Sequence, residues 1–175
     1  MSTSAFQIRR LRQIDADQCH ALAELLIDCV AGGASVSFMH PLAPERALAF
    51  WHGVADGVVR GERALLVAED EQGIAGTVQL VLAQPDNQPH RADLAKMLVH
   101  RRARRLGLGE ALMRAADELA LDCGKTLLVL DTVDGSDAER LYRRLGWQSC
   151  GVIPGYALWP HGGLCATHYF YRTLP

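Results

Sequence analysis

Residues 99–109, Val-His-Arg-Arg-Ala-Arg-Arg-Leu-Gly-Leu-Gly, follow an apolar run and open an amphipathic helix. That spacing predicts a glycine turn at a helix N-terminus. Unpaired backbone N–H groups collect there at the positive end of the helix dipole, and Gly107 and Gly109, lacking a Cβ, let phosphate oxygens approach the main chain. Arg101, Arg102, Arg104 and Arg105 add mobile positive charge. The chemistry expected is that of a pyrophosphate-bearing ligand. A Gly-x-Gly turn can equally be a plain strand-to-helix connection, and an arginine run is commonly a solvated face. With a net charge of −2 and no second basic run, nucleic-acid binding is not expected.

Other chemistries find less support. The five cysteines (Cys19, Cys29, Cys123, Cys150, Cys165) are scattered without a C-x-x-C pair and read as reduced thiols, Cys29 and Cys123 on apolar helix faces. The seven histidines show no H-x-H or H-E-x-x-H spacing, so no metal is expected. Gly33-Ala-Ser35-Val-Ser37 lacks the second glycine of a G-x-S-x-G nucleophile elbow.

These residues need a scaffold, and 175 residues with 49% hydrophobic side chains suffice for one domain, expected to span 1–175. The N-terminus shows no apolar targeting segment and no run approaches a membrane span, so a cytoplasmic protein without membrane contact is expected. Phe6 to Leu11 predicts a strand, Asp15 to Val30 a helix ended by Gly32-Gly33, and Pro44 to about Gly61 a second helix. Ala64 to Ala68 and Ile74 to Leu82 predict a hairpin, and Gln84 to Arg91 a loop. Ala92 to Val99 and Leu127 to Thr132 are strands flanking a helix from Gly107 to Cys123, a right-handed crossover with ligand sites off the strand ends. Ser136 to Leu145 is a short helix with a Ser136/Glu139 capping box. Strands at Trp147 to Ile153 and His168 to Thr173 then flank a Gly/Pro-rich loop. The expected fold is α/β, a mixed sheet covered by helices.

In this order the elements resemble the GNAT (Gcn5-related) N-acetyltransferase family over nearly the whole chain. Arg104-Arg-Leu-Gly-Leu-Gly109 matches its R-x-x-G-x-G motif and Leu141-Tyr-Arg-Arg-Leu-Gly-Trp147 its L-Y-x-x-x-G-F/W signature. The resemblance implies a mostly antiparallel sheet with one parallel crossover, helices on both faces, and acetyl-CoA as cosubstrate. By resemblance, Leu98, Val99, Arg104, Arg105, Leu106, Gly107, Leu108, Gly109 and Ser136 hold the coenzyme, a backbone N–H near Leu98 and Val99 facing the acetyl oxygen. Three departures stand out. Arg105 replaces a common glycine, His100 a frequent proline, and Gly135-Ser136 a usual asparagine.

Further matches point to the tabtoxin-resistance acetyltransferases, which modify a β-lactam toxin: Gly32 to Met39, Arg91-Ala92 with Lys96, Asp131-Thr132, and Pro154-Gly-Tyr-Ala157. This implies a small-molecule acceptor carrying an amine and a carboxylate, with toxin or antibiotic resistance as the outcome. Tyr142 is then the general acid for the departing thiolate, and Asp131 and Asp93 face the amine. Ser35, Phe38, Tyr156 and Trp159 are the acceptor-binding candidates. Each residue also has a structural reading: Tyr142 as core, Asp131 as a turn cap, Asp93 paired with Arg91, the aromatics as anchors. A protein or peptide N-acetyltransferase and a non-catalytic acyl-CoA sensor are the competing functions. The oligomeric state is open, and the reading is compatible with a homodimer.

Overall fold

The computed structural model describes residues 6–175. Its strands are β1 (Gln7–Leu11), β2 (Arg63–Asp70), β3 (Gly73–Val81), β4 (Arg91–Val99), β5 (Leu127–Val133), β6 (Gln148–Leu158) and β7 (Leu164–Thr173). The helices are α1 (Ala16–Ala31), α2 (Pro44–Val59), α3 (Leu108–Asp122) and α4 (Asp137–Arg144), with a 3-10 turn at Arg101–Ala103. The seven strands form one sheet in the order β1-β2-β3-β4-β5-β7-β6. Only β4 and β5 run parallel.

Alternation along the strands splits the core in two. Leu65, Val67 and Leu98 face α1 and α2 around Trp51, whereas Leu66, Leu80, Leu94, Leu128 and Phe170 face α3 and α4. The helices therefore cover both faces, as the family resemblance implies. Asp15 begins α1 with a capping box, its carboxylate accepting from Gln18 N at 2.8 Å and its own N–H donating to Gln18 Oε1 at 3.0 Å. In α4, Ser136 Oγ accepts from Glu139 N at 3.1 Å. The reciprocal arm differs from the expected box: the Glu139 carboxylate accepts from Gly135 N.

The last hairpin is longer than the sequence suggests. Ile153 to Leu158 continues β6 through Pro154 and Gly155, because the register shift between Ile153 and Ala157 places them in a bulge on an edge strand. A bulge at an edge spares proline a ladder hydrogen bond.

One feature positions the site. Strands β4 and β5 pair only over Arg91–Asp93 with Leu127–Val129, then part. A bulge in β4, with Lys96 at φ +50°, bends that strand, while β5 keeps its partner β7 as far as Val133. The vertex is tied shut: Thr126 N and Leu127 N both donate to His90 O, and the buried Lys125 ammonium donates to Leu82 O and Pro89 O at 3.2 and 2.8 Å. Among the described residues no helix is long and apolar enough to cross a membrane.

Candidate active site

A cleft of about 1090 Å³ runs through the opening between β4 and β5. At one end lies the turn before α3. His100 starts the 3-10 turn, its Nδ1 accepting from Arg102 N at 3.2 Å, a contact no proline could supply. The arginine run divides in two. Arg101 pairs with Asp28, and Arg102 with Asp70 and the Gly73 carbonyl, so both tie the turn to the scaffold. Arg104 and Arg105 line the cleft, Arg104 Nε donating to Val99 O at 3.2 Å.

Backbone shape dominates this end. Gly107 has φ +79° and begins α3 with no side-chain cap, and a Cβ there would meet nothing within 4 Å. The first N–H groups of α3 have no partner within the helix. Arg105 also adopts a left-handed φ of +61°, where the family's common glycine would rest without strain. Gly109 has another reason: a Cβ there would approach Leu141 Cδ2 at 3.2 Å, so its bareness lets α3 pack on α4. Leu106, expected to hold the coenzyme as part of this turn, turns its side chain outward. It is 64% exposed and does not line the cleft, because the turn aims it at solvent.

At mid-cleft, main-chain groups of Leu98 and Val99 lie on the side of β4 that has lost its strand partner. Opposite them α4 presents Tyr142, 5% exposed, its ring 6.1 Å from Trp147 and 6.4 Å from Phe170. Its hydroxyl has no hydrogen-bond partner among the described residues, and burial, then the Asp131 charge, raises its pKa above the ordinary phenol value. Tyr142 thus belongs to the core and also lines the cleft. Ser136 lines the cleft while capping α4.

The other end is closed by side chains and loops. Ser35 Oγ donates to Leu158 O at 3.0 Å, and His40 N donates to Pro160 O at 2.9 Å, stitching the segment after α1 to the β6–β7 hairpin. Phe38, Tyr156 and Trp159 line this end with Ser35. Phe38 packs edge-on against Phe50 at 5.4 Å. Asp131 faces the cleft, its Oδ2 accepting from Thr167 Oγ1 at 2.7 Å.

Asp93, the other carboxylate expected to face the amine, is engaged elsewhere. It does not line the cleft: Arg91 holds one carboxylate oxygen and Gln84 Nε2, at 3.1 Å, the other. Asp93 lies below the point where the strands part, and its cation partner is two residues away on the same strand.

The fold also gathers residues that sequence spacing left apart. Thr167 holds Asp131, and Tyr169, opposite Asp131 in the β5–β7 register, shares a 2.9 Å hydroxyl contact with Tyr156. The hydrogen bond with Tyr156, burial and the Asp131 charge push the Tyr169 phenol up to about 12. The period-two placement of Thr167, Tyr169 and Tyr171 along the last strand was the available signal. Away from the cleft, ligand-type atoms of Asp134, Glu139 and His168 lie within 4.8 Å of one another. Arg143 and Gly135 N already engage the Glu139 carboxylate there.

A sequence profile of the acetyltransferase (GNAT) domain matches residues 61–149, more than half of the chain. The chain belongs to the GNAT acetyltransferase family. It is therefore an acetyl-CoA-dependent N-acetyltransferase. Solved structures of similar fold include a ribosomal-protein-alanine N-acetyltransferase from Brucella melitensis, 21% identical, with a TM-score of 0.81 and coverage of 96% of this chain and 99% of that one. A GCN5-related N-acetyltransferase from Kribbella flavida is 23% identical, with a TM-score of 0.78 and coverage of 97% and 98%. A phosphinothricin acetyltransferase from Sinorhizobium meliloti, in complex with acetyl-CoA, is 17% identical, with a TM-score of 0.77 and coverage of 97% and 89%.

Proposed function

We propose that this GNAT acetyltransferase acetylates the amine of a small, amino-acid-like molecule, with β-lactam toxins or antibiotics as the acceptor class. The observation carrying this reading is the closure of the cleft by the Ser35–Leu158 and His40–Pro160 bonds. They bridge the route a polypeptide would need. The enzyme then acts in the cytoplasm on a diffusible compound.

The residues fit acetyl-CoA at the turn end. Open N–H groups at Gly107 and the start of α3, with Arg104 and Arg105 alongside, suit a diphosphate. Acetyl-CoA supplies an acetyl thioester. A main-chain N–H on the side of β4 without a β5 partner, near Leu98 and Val99, orients its carbonyl and takes up charge developing on the oxygen. Asp131 receives the acceptor's ammonium and accepts the proton lost before attack, directly or through water. As the C–N bond forms and the C–S bond breaks, Tyr142 donates its hydroxyl proton to sulfur, and the proton that the nitrogen sheds on becoming an amide passes to solvent, from which the phenolate is reprotonated. Burial keeps that phenol protonated beforehand.

Thiol release from acetyl-CoA, measured across amino acids, dipeptides, β-lactam toxins, aminoglycosides and polyamines, tests the proposal. The highest kcat/KM is expected for a single amino acid or β-lactam amino acid. A peptide N-terminus or an aminoglycoside as best acceptor would overturn the acceptor class and leave acetyl transfer standing.

A further inference from the structure

Lys96 is a charged residue of the cleft, at its acceptor end, that the acetyl-transfer chemistry leaves unused. It lies in the β4 bulge with φ +50°, so its side chain departs from the regular alternation of the strand. The half-buried ammonium lines the cleft, donates to Ser37 Oγ at 3.2 Å and sits 5.6 Å from the Phe50 ring centroid. Among the described residues no carboxylate comes within ion-pair distance of it. An ammonium has three donors, and a half-buried cation without an anion is costly.

Across the opening stands a complementary vacancy of partners. Asp131 lines the same cleft from β5 and accepts a hydrogen bond from Thr167, with no cation in ion-pair contact. The parallel register, continued beyond Asp93–Val129, would bring Asp131 level with Ala95, beside the bulge. Burial lowers the Lys96 pKa, with Asp131 opposing and Arg63 reinforcing that effect, so the charges sense one another without pairing.

We infer that Lys96, supported by Ser37, binds a carboxylate of the acceptor while Asp131 takes its amine, making Lys96 the residue that selects zwitterionic over cationic acceptors. This rests on the small-amine reading above and adds its selectivity device. A polyamine or aminoglycoside brings only positive charge to Lys96 and is repelled, whereas a carboxylate completes its coordination. A neutral carboxamide of the same shape loses the charge-assisted bond.

The experiment compares kcat/KM for the twenty amino acids, each as free acid and as carboxamide, with the parent enzyme, Lys96→Gln and Lys96→Arg. For accepted amines, the parent should favour the acid by about tenfold or more, through KM. Lys96→Gln should bring that ratio to within about threefold of unity, and Lys96→Arg should preserve it. Equal ratios in the parent and Lys96→Gln would overturn the inference. So would an equal loss of the preference in Lys96→Arg and Lys96→Gln, which would make the residue a matter of packing. If the parent acetylates no amine of this panel, this inference fails, whereas the small-amine reading is decided by the wider acceptor panel above.

Discussion

At the turn end the cleft is made of main chain: a left-handed Gly107, the first N–H groups of α3, and the unpaired side of β4. At the loop end it is made of side chains from separate segments, Ser35 and Phe38, Lys96, Asp131, Tyr156 and Trp159. A ligand common to many relatives can be held by backbone geometry that tolerates changes in side chains. A ligand particular to one enzyme has to be met by side chains, which a single substitution can change. The contrast makes a mechanical claim: the turn end should be sensitive to φ and, Arg104 and Arg105 aside, insensitive to side-chain truncation, and the loop end the reverse.

The largest effect tests the junction. Tyr142→Phe keeps the ring packing and removes the proton donor, so kcat should fall about a hundredfold to ten-thousandfold with acetyl-CoA affinity unchanged. Saturating turnover within about twofold of the parent would return Tyr142 to the core alone. Next, Gly107→Val places a β-branched residue at φ +79° and should weaken acetyl-CoA binding by about tenfold or more in calorimetry, whereas Leu106→Ala should leave it within about twofold. Similar losses in the two variants would break the contrast. At the loop end, Asp131→Asn should lower kcat/KM for the acceptor by about tenfold or more while coenzyme affinity stays constant.

A smaller effect reads the ground beneath the turn. Burial raises the Cys29 thiol from 9.0 to about 11, with Arg104 pulling in the opposite direction. The unfolded chain then loses this proton before the folded one does, so the folded state binds more protons and stability falls as pH rises from about 9 to about 11. The loss attributable to this group is about 2 kcal/mol in denaturant melts and should disappear in Cys29→Ala. Smallest of all, Arg102→Ala should cost about 1 kcal/mol or less of stability without changing coenzyme affinity, since its guanidinium is committed to Asp70.

What the sequence disclosed follows the same division. The crossover and the glycine turn were legible because helix periodicity, an apolar strand and a glycine signal are local. So was the inward place of Tyr142 on its helix. That the side chains of Asp93 and Leu106 stand outside the cleft was not legible: a strand position does not reveal where neighbouring strands part, and a turn residue does not reveal where its side chain points. The separate tasks of Arg101 and Arg104 depend on Asp28 and Val99, and the Thr167–Asp131 bond joins strands 36 positions apart. Pro154 and Gly155 looked like a loop because a bulged edge strand admits residues that an inner strand rejects.

The vertex fastened by Lys125 and His90 also grades the motion of the wedge. Strands joined at one end and free at the other can separate only as blades turning about a pivot, with displacement growing with distance from it. Main-chain amides pointing into the opening should accordingly exchange with deuterated solvent in a gradient, slowest at Arg91–Asp93 and fastest toward Val99. A ligand filling the gap should slow the fast members most and leave those at the pivot unchanged.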